Sequence, residues 1–135
     1  MKKIVVIDGQ GGRIGGQLIA ALREKHVAAE IIAIGTNSIA TANMLKYSPD
    51  AAATGENPVI VACRDADVVV GPIGIVIADS LYGEITPAMA AAIGQSRAVR
   101  VLIPMNKCGS VVTGVDNTPL GELISEAIER IITII

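Results

Sequence analysis

The sequence predicts an α/β protein of three layers, built on a mostly parallel sheet of about five strands. Strand and helix patterns alternate along all 135 residues, as they do in a series of βαβ units. The predicted strands are short runs rich in valine and isoleucine, which is typical of strands buried on both faces. A cluster of glycines at residues 9–16 follows the first strand, where such a fold places a tight turn before a helix.

The first half of the chain is predicted to hold three strands and two helices. The first strand ends at Asp8, and apolar residues at helical spacing follow from Gly12. Either Asn37 or Ser38 can cap the second helix, which should run to about Tyr47. The predicted strands are Lys3 to Asp8, Glu30 to Gly35 and, at the sheet edge, Ala51 to Thr54.

The second half contains three pairs in which a capping residue precedes a proline, a pattern typical of helix starts. These pairs are Asn57-Pro58, Thr86-Pro87 and Thr118-Pro119. Two strands lie between them, Asp67 to Gly71 and Arg100 to Pro104, and Ser110 to Val115 is expected to add a final short strand. The whole series predicts one Rossmann-like domain over residues 1–135, with strand order 3-2-1-4-5 and a flavodoxin-like order as the alternative.

Composition limits the partners that this domain can bind. The net charge is −2 and only 1% of the residues are aromatic, so the chain lacks the basic surface and stacking platforms of nucleic-acid-binding proteins. The longest apolar stretch, residues 68–78, is short and is interrupted by glycine and proline, so no membrane span is expected. Cys63 and Cys108 form no C-x-x-C motif and no signal peptide is recognisable, which favours a cytoplasmic location.

The glycine cluster is the strongest indication of a ligand. Glycine lets the backbone approach a phosphate closely, and the helix that follows offers free N–H groups at its positive end. The G-x-G-x-x-x-G spacing is one residue longer than the dinucleotide motif, and Asp8 adds a charge that a cation or ligand hydroxyl would have to meet. Alternatively, the glycines serve only turn geometry and helix packing. The predicted binding residues here are Asp8, Gly9, Gln10, Gly11, Gly12, Arg13, Ile14 and Gly15.

Other strand ends should reach the same crevice, because parallel strands finish at one edge of the sheet. The second strand lacks the terminal acidic residue that holds the ribose of NAD, so NAD, NADP or another nucleotide remain alternatives. No His, Cys and carboxylate cluster has metal-ligand spacing. The additional predicted binding residues are Gly35, Thr36, Asn37, Gly71, Pro72, Gly74 and Asn106.

Two segments are apolar, and we expect them to be hard to bury in one small domain, which favours a homodimer. They are Ile73 to Leu81 and Ile131 to Ile135. The long connection over residues 79–86 fits a lid, a dimer contact or an extra short helix.

Five sequence blocks together resemble a family of small bacterial proteins classed as a domain of unknown function. The blocks are Val6 to Gly12, Ile34 to Asn37, Ala53 to Asn57, Gly71 to Ile75 and Gly83 to Pro87. The resemblance implies a stand-alone Rossmann-like protein and implies no activity. From the glycine loop we expect a nucleotide-binding module with a role in sensing or regulation, and an adenine dinucleotide is favoured over a mononucleotide. The alternatives are a small NAD(P)-dependent oxidoreductase and a structural oligomer without a ligand.

Overall fold

A computed structural model of the chain describes residues 1–105, 107–115 and 117–135. The strands are β1 (Lys2–Asp8), β2 (Ala29–Gly35), β3 (Ala51–Thr54), β4 (Val68–Pro72) and β5 (Val99–Ile103). The helices are α1 (Arg13–Glu24), α2 (Ser38–Leu45), α3 (Glu56–Ala62), α4 (Pro87–Gln95) and α5 (Leu120–Ile134), with a 3-10 turn over Ile73–Val76.

The five strands are all parallel and lie in the order β3-β2-β1-β4-β5, which confirms the predicted Rossmann-like order. The register of β1 on β2 runs from Lys2 opposite Ala29 to Asp8 opposite Gly35, so both strands end level with each other. The chain proceeds from β1 through β2 to β3 at one edge of the sheet, and from β4 to β5 at the other edge. A crevice therefore opens between the ends of β1 and β4, where such sheets bind ligands.

Alternating side chains of the central strands enter two separate cores, which gives the three layers predicted from the sequence. On one face, Ile4, Val6 and Ile31 pack with buried residues of α1 and α5. On the other face, Val5 and Ile7 pack with buried residues of α3 and α4. The strands alternate in this way because successive side chains of a strand point to opposite faces.

Two of the three predicted helix starts were wrong. Thr86 does cap α4, where its hydroxyl accepts the Met89 N–H at 3.1 Å. Helix α3, however, begins one residue before Asn57, because Gly55 at φ 109° turns the chain directly into it. Pro58 then occupies the third helical position, where the missing N–H would have had no helical partner. Helix α5 begins after Pro119, so Thr118 is not its cap.

The strand expected at Ser110 to Val115 was also wrong. These residues contain a turn and no strand, and five of the six are exposed. Gly109 and Gly114 have φ values of 81° and 80°, and this left-handed geometry interrupts an extended backbone.

The apolar segments used to argue for a dimer are buried more fully than expected. Ile75 and Leu81 are 0% and 5% exposed within the domain, whereas Ile73, Val76 and Ile77 are partly buried, so this segment offers less exposed apolar surface than the prediction assumed. At the C-terminus Ile131 is buried, whereas Ile132 is 47% exposed. Within the described ranges, none of the helices has the length and apolar character needed to cross a membrane.

Candidate ligand-binding crevice

Two cavities lie beside the loop that joins β1 to α1, and Gln10 lines both of them. The first has a volume of about 250 Å³ and lies between this glycine loop, Met105 and the first residue of α5. The second has a volume of about 370 Å³ and lies between the loop, residues 79–82 and Cys108. The described residues lining the first cavity are Asp8, Gly9, Gln10, Gly11, Gly12, Arg13, Ile14, Met105 and Leu120. The second is lined by Gln10, Asp79, Leu81, Tyr82 and Cys108.

Asp8 anchors the glycine loop from inside. Its side chain is buried, and its two carboxylate oxygens accept the N–H of Gly9 at 2.8 Å and of Gly15 at 2.7 Å. Burial raises the pKa of Asp8, and hydrogen bonds from the backbone of Gly15, Gly9 and Ile14 offset part of that increase. The carboxylate therefore takes the Gly15 N–H at the start of α1, together with the Gly9 N–H of the loop, and neither is then free for an external anion.

Four of the five loop glycines lie where a β-carbon would crowd a neighbouring atom, most severely at Gly12, where that atom belongs to the backbone. A β-carbon on Gly12, which has φ 71°, would lie 2.5 Å from the carbonyl oxygen of Ala40. At Gly9, Gly15 and Gly16 a β-carbon would lie 2.5–2.7 Å from a neighbouring side chain, closer than real β-carbons approach any atom. These four positions agree with the alternative given above, in which the glycines serve turn geometry and helix packing.

Gly11 is different from the other four glycines. A β-carbon there would meet nothing within 4 Å, and its φ lies outside the left-handed region. It is exposed at the tip of the loop, and among the described residues neither its N–H nor that of Arg13 has a hydrogen-bond acceptor. The fold alone therefore gives no reason for glycine at this position.

Glu84 closes the neighbouring part of the crevice, above the end of β2. One oxygen of its carboxylate accepts three hydrogen bonds, from the Thr36 hydroxyl at 2.6 Å, the Asn37 amide at 2.7 Å and the Gln10 N–H at 2.9 Å. The Asn37 amide also donates to the Gln10 carbonyl at 2.9 Å, and its oxygen caps α2. We call this group of four residues the Glu84 latch.

The latch keeps Glu84 ionised. Desolvation raises the pKa of its carboxyl, but the hydrogen bonds from Thr36, Gln10 and Asn37 outweigh it, so the pKa lies below its ordinary value. A charged acceptor of this kind holds the segment of residues 79–86 against the glycine loop. That segment is a series of turns: the Asp79 N–H donates to the Ile85 carbonyl at 2.7 Å, and the buried Ser80 hydroxyl donates to the Gly74 carbonyl.

Backbone strain is concentrated around the larger cavity. All five described residues that line it have positive φ although none is glycine: Gln10 (50°), Asp79 (65°), Leu81 (56°), Tyr82 (56°) and Cys108 (49°). Left-handed backbone at a residue with a side chain costs about 1–2 kcal/mol. Residues in such conformations cluster at functional sites. Tyr82 is also 99% exposed, which places its ring at the open rim of the cavity.

The structure separates the predicted binding residues into three groups. Asp8 and Gly9 to Ile14 line the smaller cavity, while Gly15 lies behind it as a donor to Asp8. Thr36 and Asn37 belong to the Glu84 latch. Four others lie inside the fold and line neither cavity: Gly35, Gly71, Pro72 and Gly74. Asn106 lies outside the described residues.

Seven residues that the structure brings to this site were not predicted from the sequence as binding residues: Asp79, Leu81, Tyr82, Glu84, Met105, Cys108 and Leu120. The length of the connection over residues 79–86 was the signal available for the first four. Met105 and Cys108 follow the last strand, and Leu120, which begins the last helix, reaches the glycine loop through the packing of α5 beside α1.

The fold and the crevice define a Rossmann-like α/β domain with a glycine loop at its topological switch point. The model of the family described as "Domain of unknown function (DUF3842)" matches residues 3–135, so the chain belongs to that family. No curated protein matches the sequence significantly.

One solved structure that matches is a dodecameric FMN-dependent UbiX-like decarboxylase from Escherichia coli O157:H7. It is 15% identical, with a TM-score of 0.47, and the match covers 98% of this chain and 92% of that one.

Proposed function

We propose that this domain binds a phosphate-bearing nucleotide in the crevice formed by the two cavities. The observation that carries the proposal is the tip of the glycine loop, where Gly11, which neither packing nor backbone conformation requires to be glycine, lies beside backbone N–H groups that have no acceptor among the described residues. A ligand that approaches the loop tip closely explains the absence of a side chain there. The two cavities have volumes within or just below the usual range of roughly 300–1,000 Å³ for small-molecule sites.

The phosphate is assigned to the tip of the loop. The N–H groups of Gly11 and Arg13 are the loop donors left available beside Asp8 and the Glu84 latch. Arg13 is the first residue of α1 and its side chain is exposed, so its guanidinium can pair with oxygens of a phosphate at the loop tip.

The remainder of the ligand is assigned to the larger cavity. The Glu84 latch uses the polar groups of Thr36 and Asn37, which occupy the end of β2 where a dinucleotide fold binds its adenosine ribose. A mononucleotide fits this arrangement better than NAD or NADP. Its base would then lie against Tyr82, whose exposed ring offers a stacking surface.

A binding and regulatory role is preferred to catalysis. Among the described residues lining the cavities, no side-chain nucleophile lies within hydrogen-bond distance of a side-chain base, an arrangement that activated nucleophiles need. The strained residues around the cavity suit a surface that changes conformation when a ligand binds.

Titration calorimetry with AMP, ADP, FMN, NAD and NADP tests the proposal. Gly11→Val should weaken binding of the preferred nucleotide by at least about tenfold, equivalent to about 1.4 kcal/mol. Because a side chain at this position meets open space, its melting temperature should stay close to that of the wild type. Gly94→Val is the matched control, since Gly94 also faces open space but lies on α4, away from the crevice.

A second measurement uses the thiol at the crevice. Cys108 is exposed and lines the larger cavity, so a bound nucleotide should slow its alkylation. Absence of binding by all five nucleotides would refute the proposed function. Binding that survives Gly11→Val and leaves Cys108 alkylation unchanged would refute the proposed site.

A further inference from the structure

The outer edge of β5 carries unpaired backbone groups. The Val99 N–H donates to the Asp67 carbonyl at 3.0 Å, and the parallel register then directs the N–H and C=O groups of Val101 toward β4 as well. Since these directions alternate along a strand, the backbone groups of Arg100 and Leu102 point away from the sheet. Among the described residues, these two N–H groups and two carbonyls have no partner.

The charged residue of this strand does not protect the edge. Proteins often guard exposed strand edges with charged side chains or proline. Arg100 instead folds back on the end of α4, where its guanidinium donates to the carbonyl oxygens of Ser96 at 2.8 Å and Ala98 at 3.3 Å. The edge is thus left open to pairing with another strand, and Val99 beside it is 47% exposed.

A groove of about 180 Å³ runs between this strand and α5. Its apolar lining includes Val101 and Leu123, and its charged lining consists of Glu126 and Arg130. These two exposed residues have opposite charges and lie one helical turn apart. A surface that carries one acid and one base in this way is complementary to its own copy turned by 180°.

We propose that a second copy of this chain docks on this edge, with the two β5 strands antiparallel about a twofold axis at Val101. Arg100 then faces Leu102 of the second copy, and Leu102 faces Arg100 of that copy. Each of these two facing pairs exchanges two backbone hydrogen bonds, so four form in all. The two sheets become one ten-stranded sheet, and Glu126 faces Arg130 of the second copy. This interface uses neither cavity of the crevice and is independent of the proposed ligand.

Sedimentation equilibrium with charge variants tests this interface. Glu126→Arg and Arg130→Glu each place like charges across the twofold axis, and each should weaken the dimer by about tenfold or more. The double variant Glu126→Arg/Arg130→Glu restores opposite charges and should recover dimerisation. Glu129→Arg is the matched control, because Glu129 is exposed on the same helix but does not line the groove, and it should leave the dimer unchanged.

Proline at Leu102 tests the backbone pairing separately. The Leu102 N–H points outward, so Leu102→Pro removes an interface donor and leaves the hydrogen bonds to β4 in place. Dimerisation should be lost while circular dichroism shows a folded domain. A wild-type chain that remains monomeric at about 100 µM overturns the proposal. A dimer whose dissociation constant is unchanged by the charge variants also overturns the proposal, even if Leu102→Pro fails to fold.

Discussion

Replacing Glu84 by alanine removes the acceptor at the centre of the latch, and we expect it to destabilise the domain as well as free the segment above the crevice. Three donors converge on one oxygen of this carboxylate: the Thr36 hydroxyl, the Asn37 amide and the Gln10 N–H. All three lose their shared acceptor together. No local change of helix or strand propensity accompanies the substitution, because Glu84 lies in a turn.

The magnitude follows from the number and kind of these bonds. A hydrogen bond to a charged group contributes about 1.5–3 kcal/mol when buried. Glu84 is only partly buried, so water replaces some of the lost interaction, and a total loss of about 2–3 kcal/mol is expected. For a domain of this size that corresponds to a fall in Tm of about 10 °C. Glu84→Gln keeps an acceptor oxygen and loses only the charge, so it should cost about 1 kcal/mol.

The assay is urea unfolding of the wild type and both Glu84 variants across a pH series, with Glu129→Ala as a control at an exposed position of α5. The pKa of Glu84 lies below its ordinary value of 4.5, so its stabilising effect is present above pH 4.5 and is lost as the pH falls through the folded-state pKa. The gap between wild type and Glu84→Gln should therefore close at low pH. Asp8 is present in both proteins, but besides burial the charge of Glu84 helps to raise the pKa of Asp8, so this repulsion subtracts from the gap while both groups are ionised. The reasoning is refuted if Glu84→Ala unfolds like Glu129→Ala.

Two further predictions concern the glycine loop and the thiols. Gly12→Ala should destabilise the domain by about 2–4 kcal/mol in denaturant unfolding, because it combines strained backbone with a clash against α2, whereas Gly11→Ala should cost less than about 1 kcal/mol. Equal effects at the two glycines would contradict the packing described for the loop. A thiol reagent at pH 8 should label Cys108 rapidly and Cys63 only on unfolding, because burial raises the pKa of Cys63 to about 11. Two rapidly labelled thiols in the native protein would argue against this.

The sheet could be predicted from the sequence because each strand carries its own signal. A run such as Lys3 to Asp8, which is apolar between its ends and is followed by glycine, indicates both a buried strand and the position at which that strand ends. The helix starts were less predictable, since Gly55 and Asn57 offer competing ways to begin α3 and the sequence gives no rule for choosing between them. At Thr86 the predicted cap was correct.

The glycine loop could be predicted, but the contacts that shape the crevice could not. Glu84 reaches Thr36 across 48 positions of sequence, and Gln10 across 74. Contacts over such sequence separations depend on how two loops fold over the sheet edge. Neither loop has the hydrophobic periodicity from which helices and strands can be predicted. The same limit applies to Leu120, which enters the site through the packing of α5 on α1.

Asp8 limits where on the loop the proposed phosphate could bind. The start of α1 attracts negative charge through its dipole and free N–H groups, and Asp8 already supplies a buried carboxylate to the N–H groups of Gly9 and Gly15. A second anion at that depth would lie against this carboxylate without solvent to screen the repulsion. The N–H groups of Gly11 and Arg13 lie farther out, where Arg13 adds positive charge. The site favoured by electrostatics is therefore the same loop tip at which Gly11 has no structural requirement to be glycine.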